Sequence, residues 1–279
     1  MFDLHIHTRA SDGDLDAKAV MAEANKKGIK QLAITDHDTI ENIKPCMNEG
    51  EKYGILVVPG IEITTQYEGA RMHILGYGFD LKNKELHTTM KHIRDDLINR
   101  NLKVINILNQ LNVNITYEDV IKCSDGNENV RRPHIAMAMV KKGYVDSVDD
   151  GFNKYLSIPE IAHLERYRLT PKDAIQLIKK AGGIAVLAHP CTLNLSYKDT
   201  YYKIKELKTY GLTSSFLSFS NLSQITKRNN ASPLLRSNSS TTLFNVFSNT
   251  SVLFLHSFSN ISFSSFSNIS IFPLFISSF

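Results

Sequence analysis

From residue 2 to residue 63 the chain alternates short apolar runs with amphipathic stretches that stop at glycine, a rhythm that leaves few folds open. Residues 2–7 read as a strand whose period of two puts His5 and His7 on one face and Leu4 and Ile6 on the other. Residues 16–27 read as a helix with Ala17, Val20, Met21 and Ala24 along one side and Gly28 as its stop. A strand over 31–35 runs into Asp36-His37-Asp38, a helix covers 40–53, and strands follow at 55–63 and 71–77. Strand and helix in alternation with short links predict a parallel α/β sheet or barrel.

Residues 83–165 carry a different pattern. Leu86, Met90, Ile93, Leu97, Val104, Leu108 and Leu111 recur at helical spacings and form one apolar stripe on a long helix, which we expect to be core. Thr116 and Asp119 have the spacing of a capping box, and helices over 132–142 and 148–155 complete a small helical block. The α/β frame resumes at Thr170-Pro171-Lys172-Asp173, a helix start with proline at the first helical position. A stop at Gly182-Gly183, a strand over 184–188 ending at His189, and a helix over 199–210 follow. The predicted organisation is a first frame segment at 1–82, a helical insertion at 83–165 and a second frame segment at 166–212.

After Gly211 the composition breaks. Residues 213–279 hold 20 serines and 11 of the 14 phenylalanines, three basic residues and no acid, with Phe-Ser-Asn-x-Ser repeated at 247–251, 258–262 and 266–270. This low-complexity pattern fits neither helix nor strand, and its uncharged Phe, Leu and Ile make a poor solvated tail. The switch has the form of a shifted reading frame or a fusion near Leu212, which sequencing the DNA across that junction tests.

The formal charge of +4 comes from Lys208, Lys227, Arg228 and Arg236, all beyond Glu206. All 28 acidic residues and 28 of the 32 basic ones lie at or before Glu206, so residues 1–206 are neutral. A basic protein that coats nucleic acid is therefore not supported, and no stable DNA-binding face is expected. No run before residue 212 is long and apolar enough to span a membrane, and Met1 leads straight into a strand instead of a signal peptide. Cys46, Cys123 and Cys191 are odd in number and lack ligand spacing, as reduced thiols of a cytoplasmic protein would.

The chemistry-bearing residues fall at predicted strand ends. His5, His7 and Asp12 follow the first strand, Asp36, His37 and Asp38 the second, Glu62 and His73 lie on the next two, and His189 ends the strand beyond the insertion. In a parallel barrel such ends converge on one rim. Five histidines and their carboxylates there read as a multinuclear metal site of nitrogen and oxygen donors, suited to Mn²⁺, Zn²⁺ or Fe²⁺. Asp36 and Asp38 flank a ligand and read as orienters of imidazoles, with an N-cap on the next helix as the other reading of Asp38. His87, His92 and His163 match no motif and are assigned to surface or satisfied core positions.

The segments DLHIHTRASDG, AITDHDT, PGIEIT, HILGY, RRPHIA and LAHP, in this order over residues 1–212, resemble the PHP (polymerase and histidinol phosphatase) family of metal-dependent phosphoesterases. They are most similar to the branch of 3′,5′-nucleoside bisphosphate phosphatases that also trim RNA from its 5′ end. The resemblance implies a distorted seven-stranded (β/α)7 barrel with a helical insertion and a trinuclear centre. By it, His5, His7 and Glu62 hold one metal, Asp12 and His37 a second, and Glu62 bridges to a third held with His73 and His189. It implies up to three divalent ions, Mn²⁺ foremost, and no catalytic side chain apart from the water they activate. Arg132 and His134, in preference to Arg131, would grip substrate phosphate, a task suited to the guanidinium fork. The implied substrate is a small phosphorylated molecule, a nucleotide or short RNA; histidinol phosphate is the alternative, disfavoured by the long insertion.

The family's C-terminal Gly-Ser-Asp-x-His motif, whose Asp and His complete the first and second metal sites, does not occur in this sequence. The strands that should follow Gly211 are missing from its pattern as well. The barrel is therefore expected to be incomplete at the C-terminus, with an open edge, weakened metal binding and little turnover. A metal-binding domain with little activity is the reading from another class.

Overall fold

The computed structural model describes residues 1–68, 70–124 and 130–215; residues 216–279, with the repeats of the low-complexity tail, lie outside them. The frame begins with β1 (Phe2–Ile6), α1 (Ala17–Lys26), β2 (Gln31–Ile34), α2 (Ile43–Glu51), β3 (Leu56–Tyr67) and β4 (Ala70–Tyr77). It resumes with α8 (Pro171–Lys180), β5 (Ile184–Leu187), α9 (Tyr197–Tyr210) and β6 (Ser214–Ser215). Local chemistry sets the helix starts. Asp16 accepts from the Ala19 amide at α1, Thr170 from the Asp173 amide at α8 and Ser196 from the Asp199 amide at α9.

The six strands form one sheet in sequence order, β1 to β6. The expected all-parallel arrangement does not hold: β3–β4 and β4–β5 are antiparallel, while β1–β2, β2–β3 and β5–β6 are parallel. The reason is the connection from Tyr67 to Ala70, far too short for the crossover that parallel neighbours need. A strand after Gly211, absent from the sequence pattern, does begin: Ser214 and Ser215 pair with Val186 and Leu187, and the Thr213 amide donates to the Ala185 carbonyl at 2.8 Å. Among the described residues the sheet is open, with β1 and β6 at its edges.

Alternation along the strands sorts side chains onto two faces. Leu32, Ile34, Val57, Ile61, Ile63, Met72, Ile74, Ala185 and Leu187 pack against the helices in the main core. Ala33, Leu75, Tyr77, Val186 and Ala188, with Leu4 and Val58, fill the opposite face. In β1 the alternation breaks. Leu4 joins the second group and Ile6 the first, and the β1–β2 register shifts between Asp3 and Ile6. A bulge of this kind re-aims side chains at a strand end, and here it precedes His7.

Between β4 and α8 lies a helical block: α3 (Lys84–Gln110), α4 (Tyr117–Ile121), α5 (Arg132–Lys141), α6 (Val148–Gly151) and α7 (Pro159–Ala162). The predicted stripe on α3 is buried in two parts. Leu86, Met90 and Ile93 belong to the core of the sheet, whereas Val104 and Leu108 join a separate apolar core with Val120, Ile135, Met139, Leu156 and Ile161. Leu111, the last residue of that stripe, is instead exposed. The Thr116–Asp119 capping box forms. The helix expected over 148–155 stops at Gly151 and continues as one π-helical turn, Phe152–Leu156.

Candidate metal centre

Glu62 is the pivot of the site. It lies on the inward face of β3, 1% exposed, and a carboxylate so placed must be surrounded by donors or cations. Residues beyond the end of β2 are laid along β3 to meet it: His37 bridges to Glu62, the Asp38 amide donates to the Glu62 carbonyl at 3.0 Å, and the Glu62 amide donates to the Asp36 carbonyl at 3.2 Å. His73 comes from β4, paired opposite Thr64. His189 follows β5 in a left-handed conformation, φ 23°, after the Ala188 amide binds the His73 carbonyl at 3.0 Å. A positive φ at a non-glycine residue is a strained choice, and such strain collects where function fixes a side chain.

Five imidazoles converge on the one carboxylate. On Oε2 lie His5 Nε2 at 3.0 Å, His7 Nε2 at 3.1 Å and His37 Nε2 at 3.6 Å. On Oε1 lie His73 Nδ1 at 3.1 Å and His189 Nε2 at 2.9 Å, with those two nitrogens 3.2 Å apart. Asp12 closes the other side, 3.1 Å from His7 Nδ1 and 3.5 Å from His37 Nε2. Two ligands on one ion at roughly 2.1 Å stand about 3.0–3.4 Å apart in octahedral or tetrahedral geometry, which is the spacing seen here. Three groups of ligand atoms lie within 4.8 Å of one another: His5, His7 and Glu62; His7, Asp12 and His37; and His37, Glu62 and His73. The donor set therefore fits divalent ions. The first group equals the one implied by the motifs, the second gains His7, and the third has His37 where His189 was expected.

The electrostatics without ions are those of crowded imidazoles. Burial opposes charge on Glu62, but hydrogen bonds from His189, His5, His7 and His73 hold its carboxyl well below the usual range. Burial also pulls His7 down, and the carboxylates of Asp12 and Glu62 more than reverse this, to about 9. For His37 burial prevails over its acidic neighbours and lowers it to about 4. Neighbouring imidazoles thus favour opposite protonation states, as they must when several cannot be charged together.

Asp36 and Asp38 hold chain segments, and the expected imidazole-orienting bonds are not the ones they make. Asp36 accepts from the Thr8 amide and hydroxyl, both at 2.7 Å, and from the Ser11 hydroxyl at 2.6 Å, which anchors the loop between His7 and Asp12. That loop also needs Gly13, where a Cβ would stand 2.3 Å from the His7 carbonyl oxygen. Asp38 accepts from the Thr64 amide at 2.7 Å and from Arg166 Nη2 at 3.1 Å, and α2 is entered through Asn42, so Asp38 is not its N-cap. Its φ of 57° lets it turn back onto β3.

Of the two arginines at the start of α5, Arg131 is the one that reaches the residues around Glu62. Arg131 Nη2 donates to the His37 carbonyl at 3.2 Å, whereas Arg132 Nη2 donates to the carbonyls of Ile161 and Ala162 at 3.2 and 3.4 Å. His134 Nδ1 accepts from the Arg131 amide at 3.1 Å and so caps α5. His87 binds the Leu81 carbonyl at 2.7 Å, His92 packs on Tyr167 and His163 caps α7, all away from the cluster. Cys191 donates to the His189 carbonyl at 3.5 Å, and no thiol joins the donor groups among the described residues. Arg166 and the loop-anchoring Thr8 and Ser11 were not singled out from the sequence; only their place in DLHIHTRASDG could have pointed to the latter two.

Residues 3–158 match the PHP domain family. The chain belongs to that family. It is 34% identical over 206 residues to the 5′-3′ exoribonuclease Rnm of Escherichia coli, covering 71% of this chain and 68% of that protein. It is 29% identical over 188 residues to a 3′,5′-nucleoside bisphosphate phosphatase of Chromobacterium violaceum, covering 67% and 66%. A crystal structure from Bifidobacterium adolescentis, assigned to the metal-dependent phosphoesterases, superposes with a TM-score of 0.67 at 25% identity over 82% of this chain and 84% of that one. These relatives are hydrolytic phosphoesterases by the names they carry. No helix among the described residues is long and apolar enough to cross a membrane.

Proposed function

We propose that this PHP protein is a phosphoesterase of nucleotides, releasing phosphate from 3′,5′-nucleoside bisphosphates and trimming short RNA from its 5′ end in the cytoplasm. The observation that carries the reading is the single buried carboxylate, Glu62, encircled by His5, His7, His37, His73 and His189 with Asp12 alongside. These seven residues would hold up to three divalent ions, Mn²⁺ foremost, with Glu62 shared between them. Bound there, the ions supply an acidified water and neutralise phosphate oxygens.

The chain's own residues do the positioning. Asp36, through Thr8 and Ser11, fixes the loop that carries Asp12. Arg131, beside His37, together with Arg132 and His134 at the start of α5, offers donors to the substrate phosphate. The names of the relatives support a nucleotide or RNA substrate. Phosphate release from adenosine 3′,5′-bisphosphate and from histidinol phosphate by Mn²⁺-loaded protein tests the reading. Release from the bisphosphate is expected; release from histidinol phosphate alone would move the protein to that substrate.

The missing Gly-Ser-Asp-x-His motif favours a second reading, a metal-binding protein with little turnover. Stoichiometric Mn²⁺ without phosphate release from either compound would select it.

A further inference from the structure

On one face of β4, side chains follow at the period of the strand: His73 in the metal centre, Leu75 paired opposite Glu62, and then Tyr77. Tyr77 is 6% exposed and packs with Leu4, Leu75 and Val186. Its hydroxyl donates to the Leu4 carbonyl at 2.8 Å. Leu4 belongs to β1, three places from β4 in the sheet. Neighbouring strands stand about 4.8 Å apart, so in a flat sheet these two would be separated by about 14 Å, beyond the reach of one side chain. The hydrogen bond therefore requires that the sheet curl, with Tyr77 strung across its inside from the fourth strand to the first.

The bond falls at the bulge in β1. The register with β2 shifts between Asp3 and Ile6, and the peptide joining Leu4 to His5 lies within that shift. Side chains hold this peptide at both ends. Its carbonyl takes the Tyr77 hydroxyl, and its N–H, the His5 amide, donates to Asp3 Oδ1 at 3.2 Å. A peptide unit is planar and rigid, so fixing it orients the residue it leads into. That residue is His5, whose Nε2 stands 3.0 Å from Glu62 Oε2, and His7 Nε2 reaches the same oxygen at 3.1 Å. β1 is an edge strand with β2 as its one ladder neighbour among the described residues, so Tyr77 supplies a second anchor from the far side of the curl. Burial, then the negative charges of Glu62 and Asp3, hold the Tyr77 hydroxyl well above its ordinary value of 10, which keeps it a donor. A tyrosine buried for its ring alone needs only some acceptor; this one takes the carbonyl that precedes His5.

We propose that Tyr77 is a positioning residue of the metal centre: by holding the Leu4 carbonyl across the curled sheet, it aims His5 and His7 at the ion they share with Glu62. The proposal rests on the metal-centre reading and gives Tyr77 no contact with metal or substrate. Groups that orient metal ligands from behind are worth 10- to 100-fold in affinity, and a neutral hydroxyl acting through the backbone belongs at the lower end of that range.

The test compares the full chain as wild type, Tyr77→Phe and Tyr210→Phe, the last removing a hydroxyl that donates to Glu206 within α9 at 3.0 Å. Mn²⁺ affinity is measured by equilibrium dialysis, stability by thermal melting, and amide hydrogen exchange over residues 4–7 by mass spectrometry on metal-free protein. Tyr77→Phe is expected to bind Mn²⁺ about tenfold more weakly and to exchange faster over residues 4–7, with Tyr210→Phe matching wild type in both. A hydroxyl with only a structural role would lower the melting temperature and leave the Mn²⁺ affinity of the folded protein unchanged; that result overturns the proposal. Should Tyr77→Phe not fold, wild type decides alone. With tyrosine and leucine isotopically labelled, NMR should show a slowly exchanging Tyr77 hydroxyl proton coupled to the Leu4 carbonyl carbon, and absence of that cross-peak overturns the tie. No Mn²⁺ binding by wild type would remove the metal-centre reading instead, and the exchange rates would then test the tie by themselves: faster exchange in Tyr77→Phe supports it and equal exchange overturns it.

Discussion

Compare the sheet with the helical block between β4 and α8. Among the described residues, the buried polar and charged side chains are Asp3, Thr8, Ser11, Thr35, Asp36, His37, Asp38, Thr39, Glu62, Thr64 and Thr65 on the sheet side, against Arg100 and Asn101 in the block. The block is closed by Val104, Leu108, Val120, Ile135, Met139 and Leu156 and has few polar obligations. The sheet carries an apolar core on its helix-covered face and spends its other face, at one end, on groups that water would solvate better. Stability and chemistry are therefore drawn from different parts of one chain, and substitutions should separate them.

The largest separation is expected at the pivot. Glu62→Gln should lower Mn²⁺ affinity by at least about a hundredfold, because even residues behind a metal ligand are worth 10- to 100-fold, and phosphate release should fall with it; equilibrium dialysis and a phosphate assay measure both. Leu108→Ala is the converse. Its side chain is fully buried in the block, so urea unfolding should show a loss of about 2–5 kcal/mol, with Mn²⁺ affinity of the folded protein unchanged. A Leu108 variant that loses metal binding while still folded would break the comparison.

Asp36→Ala should fall between the two. It leaves the Thr8 amide and two hydroxyls without their acceptor, at a cost of about 1–3 kcal/mol in urea unfolding, and it frees the loop that places His7 and Asp12, so Mn²⁺ affinity drops as well. The smallest effect belongs to the block's surface. Lys142 Nζ lies 2.6 Å from Asp119, which also accepts from the Thr116 amide, and both hold the Asp119 carboxyl below its ordinary value of 3.8. A depressed folded-state pKa contributes stability above the unfolded value and loses it as pH falls through the folded one. The pair is partly solvated, so its contribution stays under about 1 kcal/mol. Asp119→Asn should therefore narrow the difference between urea midpoints at pH 7 and pH 3 only slightly.

Much of this was legible because it is local. Helix starts at Thr116 and Thr170, the glycine stops and the strand runs depend on neighbours a few residues away. The residues that cluster around Glu62 were legible through their recurrence at strand ends. The antiparallel β4 was also within reach, since seven residues between the expected strands at 55–63 and 71–77 are too few for a crossover. The β1 bulge was not, because the alternation of Leu4, His5, Ile6 and His7 is perfect in the sequence and is broken only by pairing with β2. Nor could the sequence place Arg131 against His37 or single out Arg166. Their contacts are made with His37 and Asp38, residues 94 and 128 positions away along the chain.

The central claim is that the imidazoles around Glu62 form a divalent-metal centre. Metal analysis after Mn²⁺ loading and gel filtration of wild type and Glu62→Gln tests it most directly. At least one equivalent of Mn²⁺ retained by wild type and lost from Glu62→Gln is the predicted result. Retention by neither protein, or equally by both, would contradict it.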